Sequence, residues 1–304
     1  MLSNGIKWPN GAKCAACLTF DMDADSLIHV DYPRDGNRRV AAISMLRYGP
    51  LIAVPRIVDT YERLGIKQTF FIPAWCIEQY PGAVETILRG GHEIAHHSYI
   101  HENPLEQTLA DESHWLDVGI EVIKKTTGKA PRGWRAPLYN FSDKSLDLLL
   151  GRGFKYDASL MGADIPYVIQ SRKTGGELIE LPSHWGLDDW PQYVQSMDLH
   201  YMMPIRSARN GFDLYLREFE AAYAYGALWV PVVHPFVTGR LARWHVFAEF
   251  LEKVVAQGDV WFAPMEEIAG YVQGEIDAGR HQPMVDLIPQ YEEPVGRVLP
   301  RHRL

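Results

Sequence analysis

The chain has 304 residues, 47% hydrophobic and 22% charged, enough apolar material for a full core. Its 38 acidic residues outnumber 30 basic ones, and the net charge of −8 with no Lys/Arg cluster excludes nucleic acid as main partner. No stretch approaches the ~18 uninterrupted apolar residues of a membrane span, and the N-terminus lacks a ~7–15-residue apolar signal core. The expectation is a cytoplasmic protein without membrane contact.

Strand-like and helix-like segments alternate in chain order. The run Cys14–Phe20 reads as a buried strand. Its Cys14-x-x-Cys17 spacing puts the two thiols on opposite faces, so they are expected to be core residues and not a metal or redox pair. A helix over Val54–Leu64 follows, with Pro55 in its first turn, and then a strand at Gln68–Ile72. Ala83–Leu88 reads as a helix, His92–His96 as a strand and Ser113–Thr126 as a long helix. Gly133–Ala136 is a short strand, and Ser142 opens a helix to Leu150. Lys155–Leu160, Leu178–Leu181, Leu228–His234 and Val260–Phe262 complete the strands. Helices over Asp213–Tyr223, Trp244–Val255 and Met265–Val272 lie among and after them. Such alternation implies a parallel sheet, doubly wound or closed into a barrel.

Ala24–Tyr48 and His184–Asn210 interrupt this pattern as long loops, the second rich in aromatics, and loops of that length usually wall a binding site. Residues 1–278 read as one catalytic domain. Residues 279–304 read as an extended tail, either a free end or an arm that packs on a partner in a homo-oligomer.

Active sites of parallel α/β folds form at the C-terminal ends of strands. The first strand ends in Asp21-Met-Asp23, and two acids two apart point into one space. The third ends in His96-His97-Ser-Tyr-Ile-His101, where one helical turn would bring His97 and His101 to the same side, a metal-ligand spacing. His92 is assigned to the core or a neighbouring strand. Arg135 ends the fourth strand as a partner for a carboxylate, and His234 ends the apolar run from Leu228 as a candidate proton donor. Asp23, His97 and His101 would hold a metal, Asp21 would be the base oriented by Arg135, and His234 the acid. That set suits metal-assisted hydrolysis of an amide-type carbon–nitrogen bond.

These residues, in this order, resemble the polysaccharide deacetylase family (carbohydrate esterase family 4, the NodB-homology fold). Thr19-Phe20-Asp21-Met22-Asp23 is similar to its first motif with one residue inserted between the acids, a spacing found in a subgroup that includes cytoplasmic members. His97-Ser98-Tyr99-Ile100-His101 is similar to the second motif and Arg135-Ala136-Pro137 to the third. The fourth, an acid and a Trp, is loosely matched around Trp185 to Trp190, and the fifth appears in altered form before His234. The resemblance implies a distorted (β/α) barrel of about seven parallel strands. It further implies one divalent ion, usually Zn2+, and an oxyanion N–H near Tyr139. Tyr139, Trp185, Trp190 and Tyr193 are the expected substrate-binding residues. The glycine that normally follows the acids is replaced by Ala24-Asp25.

The leading expectation is an N-deacetylase acting on a glycan or small molecule. The alternative is a cytoplasmic hydrolase of a small cyclic imide or ureide, allantoinase-like, with the same site. A third reading, a silent binding protein on the same barrel, fits poorly with an intact acid–histidine set. An open groove between the two long loops would favour a glycan, and a sealed pocket a small ring.

Overall fold

In the computed structural model, which describes residues 5–292, the strands follow the alternation read from the sequence. They are β1 (Cys14–Ala16), β2 (Thr19–Asp21), β3 (Thr69–Ile72), β4 (Glu93–His96), β5 (Gly133–Trp134), β6 (Tyr156–Asp157) and β7 (Tyr167–Ser171). Then come β8 (Glu177–Glu180), β9 (Gln195–Ser196), β10 (Tyr201–Met202), β11 (Leu228–Trp229), β12 (Val232–Val233), β13 (Val260–Phe262) and β14 (Val285–Ile288). The main sheet runs β12-β2-β3-β4-β5-β6-β8, parallel throughout. A parallel bridge between Asp188 and Val232 spans the gap from the β8 side back to β12. The result is the expected distorted barrel, with β1 paired to β11 and β13 at the opposite end.

The run from Leu228 is split into two strands because Pro231 has no N–H to offer the ladder. Its carbonyl instead accepts the Thr19 N–H and hydroxyl, both at 2.9 Å.

Strand parity decides which side chains face inward. Ala15, Cys17, Phe71, Ala95, Tyr156, Ile179, Leu181 and Val230 pack together in the barrel interior. Cys14, Leu18, Phe20, Phe70, Ile94 and Val233 pack against the surrounding helices. The two thiols therefore fall in different clusters as expected, and burial pushes each up to about 12. His92 is buried between Tyr61 and Phe70, its Nδ1 accepting the Gln68 N–H at 3.1 Å. Gly133 is required by close approach, since a Cβ there would sit 1.8 Å from the Tyr156 ring.

Several expectations are corrected. Ala24–Tyr48 is not a loop: it holds a helix at Ser26–Asp31, and a second, Val40–Tyr48, runs through a π segment at Gly49–Ala53 into Val54–Leu64. Pro55 thus lies inside a helical rod, tolerated where the wider π turn relaxes the usual hydrogen-bond ladder. Val40–Leu64 is, among the described residues, the one helix long and apolar enough to cross a membrane by length and composition. It lays Leu46, Ala53, Val54 and Ile57 into the core between barrel and helices.

His184–Asn210 contains a short helix, Trp190–Tyr193, and the β9–β10 hairpin. Strand β7, missed in the alternation, pairs antiparallel with β8 because only a five-residue turn joins them, too short for a crossover helix. The start of the expected tail adds β14 to the edge of β7. Residues 293–304 of that tail lie outside the described residues.

Candidate active site

The parity that turns Ala15 and Cys17 inward continues past the ends of the strands. Thr19 and Asp21 follow Cys17, His97 follows Ala95, and His234 follows Val230 and Val232, each in steps of two. The inward row of each strand therefore turns from apolar to polar at the same end of the barrel. Asp21, Asp23, His97, His101 and His234 line a single pocket of about 260 Å³ there.

The His97–His101 segment does not form the helical turn expected. It is a tight turn in which Ser98 and His101 take left-handed φ values of 62° and 69°. The two imidazoles nevertheless meet, ring centroids 5.0 Å apart. His97 Nε2 lies 3.4 Å from Asp23 Oδ1, and His101 Nε2 lies 3.7 Å from Asp23 Oδ2. Ala24, where the family places glycine, takes a left-handed φ of 48° to turn the chain away. Asp25 faces away from the pocket and accepts the Tyr80 hydroxyl.

Arg135 is fully buried over the Phe71 ring and pairs with Asp21 at 2.6 Å. Its Nε donates to the Ala158 carbonyl, and Nη1, the arm that holds Asp21, also donates to Thr19 Oγ1, both at 2.9 Å. The guanidinium is thus fixed through Nε and Nη1.

His234 stands across the pocket, with Nε2 at 3.4 Å from Asp23 Oδ2. Its Nδ1 lies 2.7 Å from Asp189 Oδ1, while Asp189 Oδ2 accepts the His234 N–H and the Thr238 hydroxyl. Burial alone would lower the His234 pKa, but Asp189 and Asp23 hold it well above the usual imidazole range. Burial would raise Asp23, yet His101, His234 and His97 together hold it well below the usual carboxylate range. Burial drives His101 down to about 4, so at neutral pH its imidazole keeps a free lone pair.

Asp189 escaped the sequence reading. Its signal was the pair of acids Asp188-Asp189 directly before Trp190, within the loosely matched fourth motif. Asp188 is pushed up to about 6 by burial against the pull of His234. It accepts the Tyr139 hydroxyl at 2.6 Å and the Trp190 N–H at 2.7 Å.

The pocket walls are Leu27, Leu138, Tyr139, Trp185, Trp190, Leu199 and Tyr201. Trp190 meets the His234 ring edge-on at 5.3 Å, and Trp185 meets Tyr139 at 4.9 Å. Tyr193, expected on this wall, is not on it: its ring lies under Arg243 and its hydroxyl donates to Ala208 O. Tyr201, on the hairpin no local pattern announced, takes that place. The Tyr139 N–H, expected at an oxyanion, is tied to Ala136 O at 3.0 Å.

The donor set fits a metal. One ligand atom each from Asp23, His97 and His101 lie within 4.8 Å of one another, and Asp23 Oδ1 is buried with no hydrogen-bond partner among the described residues. Two imidazoles and one carboxylate suit zinc and similar ions. Asp188, Asp189 and His234 also cluster within 4.8 Å, but their atoms are already engaged by the hydrogen bonds above.

Barrel and site together define a hydrolase of non-peptide carbon–nitrogen bonds. The family model described as Polysaccharide deacetylase matches residues 45–156. A putative polysaccharide deacetylase from Mycobacterium smegmatis, solved as a crystal structure, is 34% identical with a TM-score of 0.85, over 100% of this chain and 99% of that one. The chain belongs to the polysaccharide deacetylase family. A peptidoglycan deacetylase of Helicobacter pylori is 29% identical over 251 residues, 72% of this chain and 83% of that protein. The PuuE allantoinase structure, 20% identical with a TM-score of 0.79 over 92% of this chain and 96% of that one, shares the fold.

Proposed function

We propose that this chain is a metal-dependent N-deacetylase in which Asp23, His97 and His101 hold one divalent ion, most simply zinc. The observation that carries the reading is the buried Asp23 carboxylate, short of a hydrogen-bond partner and facing two imidazoles. A divalent ion there would polarise the scissile carbonyl and acidify a water.

Asp21, oriented by Arg135, takes a proton from the attacking water. His234, kept charged and aimed by Asp189, gives a proton to the leaving nitrogen, without which an amine departs poorly. Trp190 and Phe236 pack on the His234 ring and limit water around it. Tyr139, Trp185 and Trp190 bear on the substrate.

The pocket rim favours a second reading of the substrate. The two long segments that wall the site are clasped together: Tyr32 donates to Asp198 O at 3.1 Å and pairs with His200 at 3.0 Å, and Arg39 forms an ion pair with Asp198. A walled pocket of about 260 Å³ with five leucine and tryptophan side chains suits a small, partly apolar ring such as a cyclic imide or ureide. The test is a paired assay of wild type and His234→Ala on an N-acetylglucosamine oligomer and on a succinimide-like ring, with and without chelator. Turnover of the oligomer supports deacetylation, and turnover of the ring alone supports the second reading. Inactivity of the zinc-supplied wild type on both, or activity unaffected by chelation, overturns the proposal as stated.

A further inference from the structure

On the outer face of the barrel, Asp157 of β6 and Glu180 of β8 are register partners on adjacent parallel strands, and both side chains are fully buried. Neither belongs to the reaction described above. Two carboxylates this close in a dry interior cannot both stay ionised without a cation of their own. The nearby cation, Arg135, is already committed to Asp21.

The hydrogen bonds show which acid keeps the charge. Asp157 accepts twice from Ser159, from the hydroxyl at 2.8 Å and from the backbone N–H at 2.9 Å. Glu180 accepts at Oε1 from Leu160 N at 3.0 Å, while its buried Oε2 has no donor among the described residues. An ionised oxygen left without a donor is costly, whereas a protonated one can donate to its neighbour.

The segment these acids hold in place is the one that carries Arg135. Ser159 Oγ gives its hydrogen to Asp157 and accepts the Ala136 N–H at 2.8 Å. The adjacent Ala158 carbonyl takes Arg135 Nε at 2.9 Å. Arg135 in turn pairs with Asp21 and offers its carbonyl to His97 Nδ1 at 2.7 Å.

We infer that Asp157 and Glu180 form a one-proton clamp, Asp157 ionised and Glu180 protonated, that positions the Arg135–Ala136 segment and through it the catalytic base. Burial pushes both carboxyls upward, in keeping with one shared proton. The two acids are positioning residues, acting through Ser159 and Ala158. The inference rests on the hydrolase reading for its kinetic consequence but not for its protonation state.

The experiment uses the full-length, zinc-supplied protein and whichever of the two assay substrates the wild type turns over. Glu180→Ala should lower kcat by ~10²-fold, the scale of a base misplaced by about 1 Å, with KM little changed. Glu180→Gln keeps a donor toward Asp157 and should restore kcat to near the wild-type value. Asp157→Asn presents one acceptor oxygen to three donors and should stay as impaired as Glu180→Ala. Equal damage from Glu180→Gln and Glu180→Ala, or a fully active Asp157→Asn, overturns the clamp.

Should Asp157→Asn fail to fold, Ser159→Ala removes the hydroxyl link to Ala136 and leaves the backbone N–H on Asp157. A loss of kcat with the far-ultraviolet spectrum of the folded protein retained is expected, and an unchanged kcat overturns the inference. Carbon-13 NMR of the side-chain carboxyls at neutral pH should show Glu180 protonated and Asp157 ionised. Both found ionised would overturn the clamp even for a wild type inactive on both substrates, an inactivity that would count against the hydrolase reading alone.

Discussion

His97 Nδ1 lies 2.7 Å from the carbonyl oxygen of Arg135, so the residue whose guanidinium grips Asp21 also orients one of the two imidazoles facing Asp23. A carbonyl can only accept, which places the hydrogen on Nδ1 and leaves the lone pair of Nε2 toward Asp23. The proposed base and a candidate metal ligand are thereby set by one backbone position, and a displacement of the Arg135–Ala136 segment would disturb both.

The metal assignment predicts that His101→Ala loses affinity for zinc by more than the ~10–100-fold typical of removing an outer partner. The fold should persist, because His101 sits on a rim turn and not within a strand. Metal content by mass spectrometry and the far-ultraviolet spectrum check the two halves separately, and full occupancy in the variant would sink the assignment.

For the base, Asp21→Asn keeps shape and the Arg135 contact but cannot take a proton. Turnover should fall by ~10²–10⁴-fold while bound metal is retained. Near-normal turnover would mean that the two acids of the Asp21-Met-Asp23 segment have been given the wrong roles.

The proposed acid, His234, rests on Asp189, which accepts from the His234 N–H, its ring and the Thr238 hydroxyl. His234→Ala should cost ~10²–10⁴-fold in kcat. Asp189→Asn leaves the imidazole in place with a weaker hold on its proton and should give a smaller but clear loss. A wild-type rate in Asp189→Asn, measured at saturating substrate, would detach Asp189 from the reaction.

Stability should fall with pH through the Glu180 titration. Its folded pKa is raised by burial, so above the unfolded value of 4.5 the native state holds a proton that the unfolded chain has lost. Unfolding free energy then drops by up to ~1.4 kcal/mol per pH unit until the folded pKa is passed, and stability is greatest at the acid end of that window. Glu180→Gln cannot titrate and should flatten this slope. Denaturant titrations of wild type and variant between acid and neutral pH make the comparison, and parallel curves would refute it.

The clasped rim predicts a change of selectivity on loosening. Arg39→Ala removes the ion pair to Asp198 and the stacking of Arg39 over Tyr32. Because the pair is partly exposed, stability should change by only ~0–1 kcal/mol. The ratio of kcat/KM for a larger substrate over a small ring should rise, and an unchanged ratio would show that the rim does not select by size.

Much of this site was legible in the residues themselves, because strand parity is local. Once Cys14–Phe20, His92–His96 and Leu228–His234 are read as strands, a period of two sends Asp21, His97 and His234 inward. Parallel order then brings the strand ends to one rim, which is why Asp21, Asp23, His97, His101, Arg135 and His234 could be named together. The same parity separated Cys14 from Cys17.

Other contacts carried no local signal. Asp189 reaches His234 across 45 residues, and Arg39 reaches Asp198 across 159. Whether Tyr193 or Tyr201 lines the pocket depends on the β9–β10 hairpin, whose packing turns one ring in and the other under Arg243. The turn at Ser98–His101 brings two imidazoles together by left-handed backbone where a helix was expected. The chain's own pattern determined which side chains enter the barrel, since that follows from the covalent geometry of a strand. The register between strands and the docking of the two rim segments, set by burial summed over the whole core, decided what each of them touches.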